Sequence, residues 1–505
     1  MILFSALLLF LGLAHAGDAD QVVELLSTSQ TWDPYRPWVK NDPSTVTWQG
    51  VYLGDNTVVT TARAVANTTL IRAIAHGSPD RYPARVVHVE PDLDLALVTV
   101  DDPTFFDDLE PATLSTRVPK GTVRTAAWRD RQLEAAQGRV GRFEVRSSLA
   151  GVGDAAQFLV TTDLQNGGRS EAVYEGRRLA GLVMTQSGDT ARVLPSSVIA
   201  HYLEDVARGE NYRGVPAFFA RWQVHRDPAT ANWLGQDLPQ GIILRSIFSE
   251  TTSCGVLQPR DVLLEVDGRR VDGNGLIDDP ERGRLRFERW LSEGRHPGDQ
   301  IPVAVWRDGA RIELMLTLRG ASAATRLVPE TEADRAPPYV VAGGLVIREL
   351  DEGYLVGWGK NWREKVGLRL AALWDLSARA LTAERERHLV VAYVLPDAYN
   401  VGYHDIRNVL LMGVNGSPVR SLSDVVSAMK TPQAGVDGEG SYHVLEVIDG
   451  GPGRREVVLD ATTYEVAHQR ILRAYEVPAD RQLETERPVA VPTCVVAPNV
   501  SVVQE

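Results

Sequence analysis

Residues 261–271 read Asp-Val-Leu-Leu-Glu-Val-Asp-Gly-Arg-Arg-Val, and residues 409–416 read Val-Leu-Leu-Met-Gly-Val-Asn-Gly. Each is a short apolar run ending in Asp-Gly or Asn-Gly, the dipeptides that fold a chain back as a hairpin. The two stretches form a degenerate internal repeat, so the C-terminal half reads as two copies of one small unit of strands and a helix. In the first copy Gly241–Leu244 and Asp261–Val266 are expected strands and Arg284–Leu291 has helical spacing. Val303–Leu314 then closes over Asp308-Gly309 as a second hairpin. In the second copy a helix is expected over Ser421–Met429 and a strand over Glu456–Leu459. A polar linker at 321–336 separates units at 208–320 and 337–480, and the Pro-dotted residues 481–505 are expected to form a loose tail.

Upstream, residues 17–207 are short apolar runs broken by turn residues, among them Val58–Thr61, Ala84–Val89, Leu95–Val100 and Leu179–Val183. Many short strands at that spacing predict a sandwich or a pair of barrels, and Ser196–Ala207 has helical period and closes the domain. Residues 1–16 hold an apolar run, Ile2–Leu13, ending in Ala14-His15-Ala16. The run is shorter than the roughly 20 residues a bilayer crossing needs, so it reads as a cleaved export signal. An exported chain with no membrane span, periplasmic or secreted, is therefore expected.

A chain of 505 residues exceeds one hydrophobic core, which agrees with several domains. Fifty-three Lys and Arg against 66 Asp and Glu leave a net charge of −13 without a basic run, a balance that disfavours nucleic acid as a partner. The two cysteines, Cys254 and Cys494, have no metal-ligand spacing; whether they pair is left open, and no metal or cofactor is expected.

The segments "NTVVTTARAV", "EPDLDLALVTV", "TTDLQNGGRSEAV" and "RVLPSSVIAHYLEDV" together resemble the trypsin-like domain of the HtrA/DegP (Do-like) serine proteases. "DVLLEVDGRRV" with "VWRDGARIELMLTL" resembles a PDZ domain, and "PPYVVAGGLVI" with "VLPDAYNVGYHDIRNVLLMGVNG" resembles the atypical second PDZ domain of the Do-like branch. The resemblance implies a mainly β fold, a trypsin-like double β-barrel followed by two PDZ domains. It implies a catalytic triad at Arg63, Asp94 and Ser170, with Gly168 in the oxyanion loop. It also implies peptide recognition at Ala217, Phe218, Phe219 and Ala220 of the first PDZ and at Gly343, Gly344 and Leu345 of the second. Trimer-based homo-oligomers would form through the N-terminal part, where Trp32, Tyr35 and Trp38 are candidate contacts; capping of their own barrel is the other reading.

Acyl transfer through a serine needs a base that can accept the hydroxyl proton. At the position of the family's histidine stands Arg63, whose guanidinium stays protonated and has no acceptor lone pair. A bidentate ion pair between Arg63 and Asp94 is expected there instead. His76, His88 and His201 lie where the family's geometry brings no base to the serine. Glu171-Ala172 replaces two glycines of the family's loop, whereas Gly168 leaves an oxyanion hole open. Phe219 and Arg260 likewise stand where the family carries glycine. The expected activity is binding of polypeptide segments or C-termini by a protein that does not cleave them. The alternatives are a serine endopeptidase of protein quality control with an altered base, and a regulatory subunit of an active relative.

Overall fold

The computed structural model describes residues 16–151, 153–218, 220–247, 252–320, 327–359, 361–375, 387–448 and 453–484. The apolar leader therefore lies outside the described residues, as does Phe219. The chain divides into two compact units, one formed by the described parts of 1–29, 44–247 and 251–321, the other by 30–43 and the described part of 322–505.

The first unit begins with a closed barrel of β1 (Val22–Ser29), β2 (Ser44–Gly54), β3 (Thr57–Thr60), β4 (Thr68–Ile74), β5 (Tyr82–Glu90) and β6 (Leu95–Val100), in the order β1-β2-β3-β6-β5-β4. A second closed barrel contains β7 (Thr122–Arg129), β8 (Gln132–Ser147), β9 (Asp154–Thr162), β10 (Ala172–Glu175), β11 (Arg178–Ser187) and β12 (Thr190–Pro195). Successive strand residues face opposite ways, and here both faces are buried. Val23, Leu25, Val58, Ala96 and Val98 fill the first barrel. Their neighbours Val22, Val59, Leu95 and Leu97 pack with Ala126, Trp128, Leu182 and Leu194 in a core shared with the second barrel. Runs such as Leu95-Ala96-Leu97-Val98 are continuously apolar for that reason. The helix Ser196–Val206 adds Val198, Ile199 and Tyr202 to the shared core.

The middle domain of this unit comprises β13 (Ala220–Gln223), β14 (Ile242–Ile247), β15 (Val262–Val266), β16 (Arg269–Arg270), β17 (Leu276–Asp279), β18 (Gly283–Arg286), β19 (Gln300–Arg307) and β20 (Ala310–Thr317). Its sheet runs β13-β14-β15-β19-β20, leaving β13 at one edge, while β17 and β18 form a separate hairpin. Asp308 (φ 50°) and Gly309 (φ 79°) make the two-residue turn that the sequence predicts. The helix expected over 284–291 is largely absent: Gly283–Arg286 is a strand and helix spans only Arg289–Ser292. Leu285 and Phe287 point inward while Arg284 and Arg286 reach Asp272 and Glu288, which is period two rather than 3.6. Cys254 is buried and disulfide-bonded; the sequence's other cysteine, Cys494, lies outside the described residues.

The second unit is one large sheet of β21 (Tyr339–Ala342), β22 (Leu345–Glu349), β23 (Leu389–Val394), β24 (Val409–Val414), β25 (Ser417–Pro418), β26 (Gln433–Ala434), β27 (Ser441–Ile448), β28 (Arg454–Asp460) and β29 (Arg481–Gln482). Its path is β26-β27-β24-β23-β22-β21-β29. Leu389 and Val391 serve one core and Val390 and Ala392 the other, so both faces are covered. Its helices include Glu352–Val356, Trp362–Lys365, Leu368–Asp375, the expected Leu422–Ala428, and Tyr464–Ala474, which the apolar-run reading misses because its sequence is rich in charged and polar residues. Two boundaries move. Val328, read as linker, is fully buried in this unit, and Arg481-Gln482, read as tail, pairs with β21.

Trp32, Tyr35 and Trp38, read as assembly contacts or as a cap on their own barrel, belong to the second unit. Tyr35 packs edge-on against Tyr354 and Trp358 (6.2 and 5.9 Å between centroids), and Trp38 packs on Tyr339 at 5.4 Å. These rings are half-buried within their own chain. Trp32 pairs with Lys40, whose ammonium lies 5.0 Å from its ring.

Arg260 holds φ 78°, a left-handed conformation that favours glycine, fixed by its amide donating to the Leu244 carbonyl at 2.8 Å. Replacing it by glycine relieves strain at the expense of backbone entropy and a ring contact with Trp233. Arg260→Gly is expected to raise unfolding free energy by about 1 kcal/mol, read as a higher denaturant midpoint at unchanged slope; a lower midpoint would show that the Trp233 contact outweighs the strain.

Candidate functional site

The predicted triad positions come together at the junction of the two barrels. Thr60-Thr61 ends β3 and leads into the single-turn helix Ala62–Val65, which carries Arg63. Asp94 follows the turn Pro91–Leu93 with φ 54°, and Ser170 stands just before β10 with φ 70°.

Asp94 is buried and receives the Arg63 Nε proton at 2.6 Å and the Arg63 backbone N–H at 3.1 Å. The pair exists, but it is not the expected bidentate fork. The guanidinium's Nη2 instead donates to the Met184 carbonyl at 2.7 Å, and the group lies 5.8 Å from the Trp48 ring. One arm thus neutralises the carboxylate and another satisfies a backbone carbonyl. Burial pushes the Asp94 carboxyl above the usual range, and Arg63 offsets part of that rise.

Ser170 has no exposed surface. Its Oγ accepts from the Thr61 amide at 3.2 Å and lies 2.9 Å from Thr61 Oγ1 and 3.2 Å from Thr60 Oγ1. Thr60 is held in turn by donating to the Gln49 carbonyl at 2.7 Å. The contacts of Ser170 Oγ are thus hydroxyls and an amide, none of which is a base near neutral pH. His88 contacts Tyr202, His201 stacks on His296, and His76 faces Asp20.

The amides of the 168–170 turn are also taken. Gly168 N and Arg169 N donate to Glu171 Oε2 at 2.8 and 2.9 Å, and Ser170 N donates to the Val183 carbonyl at 3.1 Å. An oxyanion hole requires such amides free and aimed at the reacting carbonyl. The surviving Gly168 therefore does not keep the hole open; a carboxylate from the same loop fills it. Burial pushes the Glu171 carboxyl up, while those amides and Arg129 at 3.7 Å pull it back. Beside Asp94 opens a cavity of about 290 Å³ lined by Arg146, Gln157, Met184, Thr185 and Arg192, among others; Ser170 is not among its lining residues.

The residues expected to bind peptide are also engaged. In the middle domain Ala217 is buried, its N–H donating to the Arg319 carbonyl at 2.8 Å and its carbonyl accepting from Thr252 Oγ1 at 2.8 Å. Phe218 packs edge-on against Phe287 at 5.3 Å, and Ala220 opens β13 opposite Ile247. In the second unit Gly343 (φ 56°) and Gly344 (φ 96°) form the tight turn between β21 and β22 and are buried with Leu345. The buried Asn400 donates through Nδ2 to the carbonyls of Gly343 and Leu395 at 2.9 Å each. A Cβ on Gly344 would come within 2.4 Å of that amide, so a side chain at this position would collide with Asn400. β22 is flanked by β21 and β23, and the outer edge of β21 by β29. Glu171 and Asn400 are the site residues that residue type alone does not reveal: their roles appear only once the turn amides and the Gly343 carbonyl need partners.

A family model described as a PDZ domain matches residues 328–483. The chain is 24% identical to the chloroplastic protease Do-like 2 of Arabidopsis thaliana over 93% of this chain and 76% of that protein. It is 23% identical to the putative protease Do-like 13 of the same plant over 80% of this chain and 78% of the relative. Among solved structures, the HtrA-type protease AlgW with decapeptide aligns at a TM-score of 0.45 and 16% identity, covering 60% of this chain and 97% of that one.

A buried ion pair loses most when one partner is removed, because the other is left charged and unpaired. Arg63→Ala is expected to lower unfolding free energy by about 3 kcal/mol. Arg63→Met combined with Asp94→Leu should cost less than either single change, as read by urea denaturation; additive losses would mean that the two side chains act independently.

Proposed function

We propose, from the premise that this chain is a Do-like (HtrA) protease homologue with a PDZ domain, that it binds extended polypeptide without cleaving it. The observation that carries this reading is the closed state of Ser170: no exposed surface, an arginine at the base position, and Glu171 on the turn amides. Each alone removes a requirement of acyl transfer; loss of one triad member typically costs about four decades in rate. The protein is exported after removal of residues 1–16, acts in envelope protein quality control or scaffolding, and assembles as a homo-oligomer.

Extended polypeptide adds along β13, the edge strand of the middle domain, whose other edge pairs with β14. Alternate residues of β13 are partly covered, and Trp222 sits over Phe287 at 5.9 Å with its indole N–H on Glu288. That strand edge supplies main-chain hydrogen bonds, and Trp222 selects side chains.

Purified mature protein incubated with casein should leave the substrate mass unchanged, and a fluorophosphonate probe should not label Ser170. Arg63→His should remain inactive as well, because Thr60, Thr61 and Glu171 still occupy the serine and its amides. Casein cleavage that disappears in Ser170→Ala would overturn the proposal. A fluorescein-labelled, reduced and carboxymethylated polypeptide should bind in an anisotropy titration, and Trp222→Ala should weaken it about tenfold. Equal affinity in that variant would move the binding site elsewhere.

A further inference from the structure

Glu90 ends β5 with its side chain buried, and its two carboxylate oxygens serve different parts of the first unit. Oε1 accepts the Asp92 amide at 2.9 Å and so caps the turn Pro91–Leu93 that delivers Asp94. Oε2 accepts the Tyr212 hydroxyl, and Tyr212 belongs to the segment joining the helix Ser196–Val206 to the middle domain. The Tyr212 ring packs on His88 at 4.4 Å, and His88 Nδ1 meets the Tyr202 hydroxyl at 2.9 Å. The next two residues of the segment are also held, since the amides of Arg213 and Gly214 donate to Asp205 at 2.9 and 3.0 Å. We propose that Glu90 is a proton-operated latch, whose ionisation loosens the Tyr212–Gly214 segment and with it the attachment of the middle domain to the barrels.

The charged surroundings set the sense of the switch. Asp92 on the capped turn and Asp205 on the closing helix both oppose a negative Glu90, and His88, Tyr202 and Tyr212 complete its shell. On the far side of Asp205 stand Arg208, Arg213 and His296, with His296 stacked on His201 at 4.2 Å and Asp299 3.7 Å from Arg213. Burial, with smaller contributions from Asp92 and Asp205, outweighs the hydrogen bonds and pushes the Glu90 carboxyl up to about 7. The closed segment therefore keeps a proton on Glu90 that an opened, solvated carboxyl has already released. Stability of the closed form falls as pH climbs from the solvated value and levels off once the closed carboxyl itself ionises. Burial moves His88 and His296 the other way, so their protonation opposes the closed form only at lower pH.

The test is amide hydrogen exchange at Arg213 and Gly214 in the full mature chain, corrected for intrinsic exchange rates. Linkage predicts that protection falls about tenfold between about pH 6 and 8 in the wild type. Glu90→Gln should abolish the step, because the amide cannot ionise. Absence of the step in the wild type, or its survival in Glu90→Gln, would overturn the latch. Should that variant fail to fold, Tyr212→Phe removes the segment's side of the bond. Because the Tyr212 hydroxyl is one of the contacts that hold the Glu90 carboxyl down, the fall in protection in Tyr212→Phe should level off at a higher pH than in the wild type; an unmoved step there would also overturn the proposal.

Discussion

Backbone amides that point into protein rather than water must each find an acceptor, because an unpaired buried N–H loses roughly as much free energy as a hydrogen bond gains. At residues 168–170 this requirement organises the whole junction between the barrels. Glu171 takes two amides and Val183 the third. The carbonyl of Arg169 accepts from Gln49 N, while the Gln49 side chain pairs with both the N–H and the carbonyl of Trp128 across the barrel junction. An enzyme leaves such donors unpaired so that developing charge can claim them. Here the same donors hold the loop closed, and the geometry has become structural.

The same economy runs through Arg63 and Asn400. A guanidinium at the base position cannot move protons, yet it neutralises a buried carboxylate and satisfies the Met184 carbonyl together. The Gly343-Gly344 turn has the conformational freedom associated with ligand cradles, but Asn400 fills the space that freedom creates. In both cases one polar side chain satisfies a buried carbonyl that local backbone leaves without a partner. β13 keeps an outer edge with no strand partner among the described residues.

Much of this was legible in the sequence. The barrel strands and the Asp308-Gly309 hairpin follow from residue type and period, whereas Arg63 at the base position and the acidic replacement after Ser170 follow from the family resemblance. What escaped was decided by partners distant in sequence. The stretch 283–287 looks helical by composition, but its alternate residues answer to a buried face on one side and to Asp272 and Glu288 on the other. Arg481-Gln482 looks like tail until the edge of β21 needs a neighbour. The aromatic cluster at 32–38 was visible as a cluster, but nothing local says that it is spent on Tyr339, Tyr354 and Trp358, some three hundred residues away.

That last arrangement makes the second unit discontinuous in the chain. Residues 30–43 leave the first barrel after β1 and return to it at β2, contributing in between to the packing around Tyr339 and Tyr354. The two units are therefore not beads on a string. A protease that cuts between Gly320 and Val328 severs one connection while the loop between β1 and β2 still belongs to the other unit. A fragment beginning before Val328, conversely, lacks a piece of its own packing and bares aromatic surface that the intact chain covers.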